Sequence, residues 1–309
     1  MIKKLLILLA ISAGSLHVAA ESGELDEVGY WPPENTHSSN RDAESAERTA
    51  ELRRKLRDEA AEVPAIIRPF AGAPLLIAGE TVGYFANSGK LLDKEARRFV
   101  ANSAEAKQCV SEFRGPAGKA GCLVMFAGGL AVSLINLQGG STENLVMFAT
   151  QVLGGEFGYI ADAFSDLAAR TGKVPLVREV LTVFSIVTDT TGQVVFVGGS
   201  ALADGVKRET DAVGAAVISP FGVLASLLQG RAETAHYYAA TGVSGVACAV
   251  LNIPGTAAKI AVGVVDVVHG TLTGHKSRSE VGSCDWRKLR DAYVRGEHGT
   301  PIDIRLIDR

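Results

Sequence analysis

Aromatic side chains are scarce in this chain, making up 6% of its 309 residues. A core that must then be built from Ala, Val, Leu and Gly packs helices close together and leaves few large pockets, which argues against a deep substrate cavity. A basic excess is absent too: the formal net charge is -3, so nothing points to nucleic acid as a partner. Nor does the chain carry a GxSxG elbow, an HExxH pair, an SxxK motif with its companions, a GxGxxG turn or a CxxC metal or redox motif. Gly83, Gly89 and Lys90 bring a phosphate loop to mind, but the four-residue gap and the Ser or Thr after the lysine are missing. No catalytic residue, cofactor or metal site is therefore assigned, and the sequence leans towards binding rather than catalysis.

What is abundant is small and aliphatic. The stretch 239–274 is built almost wholly from such residues, broken once by Asn252-Ile253-Pro254-Gly255. Between His236 and Lys259 there is no charge, and about 20 such residues in a helix suffice to cross a bilayer. Thr241, Gly245 and Ala249 recur every fourth position, which places small residues on one helical face and lets another backbone approach. Pro254 is expected to break or kink the run. Beyond it, Lys259, Gly263, Asp266 and Gly270 share one side while Ile260, Val264, Val267 and Val268 fall largely on the other. That amphipathic pattern favours a packed or interfacial helix over a spanning one. Two further uncharged runs occur at 120–138 and 212–230; the first is apolar nearly all round, and periodicity alone cannot say whether it is a bundle core or a membrane segment.

Residues 1–20 have the parts of a secretory signal: Lys3 and Lys4, an apolar run, then Val18-Ala19-Ala20 before Glu21. This predicts an exported protein of the bacterial periplasm or envelope, or a secreted one. Cys109, Cys122, Cys248 and Cys284 would then meet an oxidising compartment, and disulfides between sequence neighbours, Cys109 with Cys122 and Cys248 with Cys284, are expected. The first closes a short loop worth about 3 kcal/mol on chain-entropy grounds.

Residues 21–40 are acidic, polar and interrupted by Trp31-Pro32-Pro33, a leader with too few apolar residues to fold alone. Residues 41–62 predict a solvated helix with charges spaced four apart, ending at Pro64. After a linker at 64–74, helices are expected over 75–87 and 91–113, separated at Ser88-Gly89. Gly139-Gly140 followed by Ser141-Thr142 reads as a helix end and a new N-cap, and 142–170 as an amphipathic helix closed by Thr171-Gly172. Residues 181–188 and 193–197 are rich in Val, Ile, Thr and Phe around Asp189-Thr190-Thr191-Gly192. We read this span as helix, with a β-hairpin near 181–197 as the alternative. Pro220 kinks the next helix or starts a second one. Asp285 should cap a last amphipathic helix bearing Trp286, Leu289 and Tyr293, and 302–306 alternates like a short strand.

Two pairs deserve a chemical reading. Asp162 and Asp166 lie one helical turn apart, as a paired-carboxylate site requires, and Asp266 with His269 could form an acid–base pair, His275 falling on another side. Neither is accompanied by metal-ligand spacing.

The sequence thus predicts a mainly α protein: a Gly/Ala-rich bundle of about seven to nine helices by periodicity. Its divisions are a signal peptide (1–20), a polar acidic arm with one exposed helix (21–63), a helical core (64–274) and a polar C-terminal segment with one amphipathic helix (275–309). The leading functional expectation is a non-enzymatic envelope protein that associates with membrane or lipid through its uncharged helices. The alternative is a soluble periplasmic module with a protein partner, and an exported hydrolase is third.

Overall fold

The computed structural model describes residues 40–172, 174–274 and 283–294. The signal-like segment, Trp31, His275 and the strand expected at 302–306 lie outside the described residues. Within them the protein is mainly α, with seven α-helices and no strand. These are α1 (Asn40–Glu62), α2 (Arg68–Ala71), α3 (Ala73–Glu112), α4 (Pro116–Arg170), α5 (Pro175–Leu228), α6 (Ala232–Thr273) and α7 (Trp286–Val294), with a 3-10 turn at Ala65–Ile67. Several expected ends hold. α4 closes at Arg170 before Thr171-Gly172, and the Asp285 carboxylate accepts the Arg287 N–H at 2.9 Å to cap α7.

Other expected breaks are absent, and the reasons are physical. α3 runs straight through Ser88-Gly89, and α4 through Gly139-Gly140, where the Thr142 hydroxyl donates to the Gln138 carbonyl instead of capping a new helix. Pro220 and Pro254 both lie inside continuous helices. The alternative hairpin near 181–197 does not form. The Thr190 and Thr191 hydroxyls donate to the Ile186 and Val187 carbonyls within α5, and Gly192 marks close packing, since a Cβ there would lie 3.0 Å from the Phe157 Cβ. The linker expected at 64–74 is itself helical, bent by 52° where α2 meets α3.

The chain divides into two compact units, Met1–Asp93 with Tyr159–Ser185, and Lys94–Gly158 with Ile186–Arg309. In the first, α1 is not merely solvated as its charge pattern suggested, because Leu56 and Ala60 are buried and Arg53 and Arg57 both pair with the Glu80 carboxylate of α3. Arg68 donates to the Ala61 carbonyl at 2.8 Å and the Val63 carbonyl at 3.0 Å, and the Phe164 and Phe184 rings stack at 5.5 Å.

The second unit contains all three uncharged runs, and they lie side by side. Going along α4, a Cβ on Gly121 would meet the Ala225 carbonyl of α5, one on Gly128 the Phe221 side chain and one on Gly139 that of Thr210. Along α5 and α6, Gly222 faces Tyr238, Ser219 faces Gly242, and Gly205 faces Thr256. The antiparallel register therefore stacks 120–142, 212–228 and 237–258 into one uncharged slab of about 20 residues, some 30 Å thick at 1.5 Å per residue.

Candidate functional site

The slab is packed inside out. On α6 the buried residues are Ala235, Ala240, Thr241, Gly242, Ser244, Gly245, Cys248 and Asn252, all small or polar. The outward stripe at helical spacing is Val243, Val246, Val250 and Ile253, continuing to Val265 and Leu272, with Val250 64% exposed. α4 repeats the arrangement with Leu123, Leu134 and Leu145 outward, Leu134 at 67%. Small residues on the facing sides let backbones approach; a full set of aliphatics facing away from the protein is what lipid-facing helices require. Soluble monomers rarely leave contiguous apolar patches beyond a few hundred Å².

Three helices, α4, α5 and α6, are long and apolar enough to cross a membrane, and only 17%, 39% and 11% of their most apolar stretches is buried. The slab has polar ends. At one, the Arg231 guanidinium sits 5.5 Å over the Phe113 ring, joining the α5–α6 turn to the α3–α4 turn, with Gly230 in the left-handed region at φ 72°. At the other, Asp204 holds Lys259 at 2.9 Å and Arg208 at 3.0 Å, and Arg208 donates to the Ser283 hydroxyl. Lys259 thus points inward onto α5, a direction its amphipathic pattern did not specify.

Both disulfides join the expected partners. Cys109–Cys122 links α3 to α4 with Cα atoms 5.8 Å apart, and Cys248–Cys284 links α6 to the segment before α7 at 5.2 Å. Such bonds belong to an oxidising compartment.

The other sequence candidates do not converge. Asp162 pairs with Arg68 at 2.5 Å and Asp166 with Arg170 at 3.0 Å, so each carboxylate has its own cation. Asp266 and His269 sit on the partly exposed C-terminal part of α6. Among the described residues no cluster of three or more metal-ligating side chains exists. Gly83 and Gly89 lie within α3, where no phosphate loop is formed.

What the sequence reading missed is the polar cluster around Asp204; its signal was the charged segment 204–211 between two uncharged stretches. Burial alone would raise the Asp204 carboxyl, but the Lys259 and Arg208 side chains outweigh it and hold it below the usual carboxylate range. Burial raises Glu209, one of whose carboxyl oxygens is buried without a hydrogen-bond partner. The signs are opposite. The stability contributed by Asp204 is present above its unfolded value of 3.8 and fades as pH falls through its lowered folded value. That linked to protonated Glu209 is present below 4.5 and fades as pH rises through its raised folded value. Glu209→Gln should therefore raise the melting temperature at neutral pH and leave it unchanged in strong acid. A difference from wild type that is independent of pH contradicts this assignment.

Comparison with protein-family models, curated proteins and solved structures gives no match.

Proposed function

We propose that the protein is an exported, non-enzymatic envelope component that works at a membrane, presenting its uncharged slab to the acyl-chain region of a lipid bilayer. The observation that carries this reading is the inversion of α6, with Val243, Val246 and Val250 exposed while Thr241, Ser244 and Asn252 are buried. The hydrophobic effect drives such a stripe out of water, and the charged groups that bound the slab lie where headgroups and water would meet them. The two disulfides support an oxidising location.

The test is flotation of the full chain with phosphatidylcholine–phosphatidylglycerol vesicles, beside fractionation of cells into soluble, salt-washable and detergent-only material. Wild type should float. The double variant Val246→Asp/Val250→Asp, altered at exposed positions, should keep its helical circular dichroism and bind at least about tenfold more weakly, since each lipid-facing aspartate costs more than the 1.4 kcal/mol that tenfold represents. A wild-type chain that stays in the soluble fraction and ignores vesicles defeats the reading.

A further inference from the structure

α6 does not face the medium on all its free sides. The segment from Ser283 through α7 is fixed to it, covering the polar side of its uncharged run. Cys284 is bonded to Cys248 near the middle of that run, and the Cys284 N–H donates to the Asn252 Oδ1 at 3.2 Å. Further along, the Arg290 guanidinium stacks on Tyr237 at 4.7 Å and on Trp286 at 5.4 Å, and Tyr293 lies 6.4 Å from His236. This cover is charged: Asp285, Arg287, Lys288, Arg290 and Asp291 crowd nine residues or their immediate cap, with Arg287 and Lys288 exposed.

The α5–α6 hairpin has the length to span, through 212–228 and 237–258. It cannot do so with α7 attached, because Cys248–Cys284 pins Asp285 and its charged neighbours at the depth of the slab's middle. Ionised side chains there are disfavoured strongly enough, even on insertion scales, to keep the hairpin from spanning. With α7 gone, the side it covers offers Cys248 and Asn252, groups that membrane helices use against one another. The second disulfide has a different position: Cys109 and Cys122 are 13 residues apart beside the α3–α4 turn, where the Gln229 side chain of the α5–α6 turn donates to their sulfurs at 3.6 and 3.7 Å, and neither is bonded to the α7 segment.

Resting on the membrane reading above, we infer that α7 is a cover locked by Cys248–Cys284, and that a dithiol reductant opening this bond converts a surface-bound protein into one whose α5–α6 hairpin spans the bilayer. The exchange is balanced. One thiolate of the dithiol attacks Sγ of Cys284, since Cys248 is wholly buried. The protein S–S bond breaks and Cys248 leaves as a thiolate that takes up a proton. The second thiol of the reductant then attacks the mixed disulfide and releases Cys284. Two electrons and two protons pass to the protein, and the reductant departs as its cyclic disulfide.

Full-length protein is floated with the same vesicles, with and without dithiothreitol, and the floated fraction is extracted with alkaline carbonate. Oxidised protein should float and be extracted. The reduced protein should float and resist extraction, its resistant share rising on the order of tenfold, as a population shift of that size requires. Cys248→Ser/Cys284→Ser should resist without reductant, whereas Cys109→Ser/Cys122→Ser should remain extractable until dithiothreitol is added. Should the first variant misfold, the reduced wild type carries the test, and rejoining its thiols with a short non-reducible bismaleimide must restore extractability. Flotation in both states with equal resistance overturns the cover while leaving membrane association intact. Failure to float in either state overturns both.

Discussion

Gly245→Ala will destabilise the protein by about 2–3 kcal/mol, although it adds a single methyl to a helix and improves helix propensity. The added Cβ would lie 2.6 Å from the Ala216 nitrogen and 2.7 Å from the Ala212 carbonyl oxygen. Both are backbone atoms, so no rotamer change relieves the contact and α5 must be pushed away from α6 along the slab. Gly89→Ala makes the control. Gly89 is an exposed residue in the interior of α3, a Cβ there meets nothing within 4 Å, and the substitution should stabilise by up to about 1 kcal/mol. Thermal or denaturant unfolding followed by circular dichroism reads both. Equal behaviour at the two positions would mean that α5 and α6 are not in contact at Gly245.

Glu80→Leu should cost about 3 kcal/mol. The Glu80 side chain is fully buried, and its two oxygens are divided between Arg53 and Arg57 of α1, which remain partly exposed at 28% and 47%. Removing the carboxylate takes away the buried group that Arg53 and Arg57 share, in a region where Leu56 and Leu76 are also buried. α1 is expected to loosen first, visible as faster proteolysis within Asn40–Glu62. The triple variant Arg53→Met/Arg57→Met/Glu80→Leu should recover most of the loss, because replacing a buried ion network by apolar groups is far less costly than breaking it. A triple variant no better than Glu80→Leu would show that the pairing contributes little and that the carboxylate is held for another reason.

Much of the architecture was legible in the residues. The cysteines paired with their sequence neighbours, the helix stop at Arg170 and the helix start after Asp285 fell where Thr, Gly and Asp signalled them, and the uncharged runs are helical as their length implied. Glycine and proline misled elsewhere for one reason. A Gly-Gly pair ends a helix when nothing needs the space, but at Gly139 the space belongs to Thr210 of α5, so the same residues mark a crossing and the helix continues. Pro254 lies on the exposed side of α6, inside a helix that continues past it. The facing of α6 was also hidden. Periodicity shows that Lys259 and Val268 lie on different sides; it does not say which side meets the protein. Asp204, 55 residues away, decided that. The candidate surface was visible in the sequence as three lengths without charge, but their alignment at one level required the register of two hairpins, α4–α5 and α5–α6.

The inside-out packing of the slab also dictates how this sequence can drift during evolution. In an ordinary globular core, the large aliphatics are the residues that resist replacement and the outward positions vary. Here the pressures are exchanged. Val243, Val246, Val250, Leu123 and Leu134 are each more than half exposed, so descendants of this chain can interchange Leu, Ile, Val and Phe at those sites with little effect on the packing. Gly128, Gly139, Gly242 and Gly245 stand where even a methyl group collides. The memory of the fold is therefore kept in its smallest residues, and distant relatives should be recognisable by the spacing of their glycines when their hydrophobic residues no longer align.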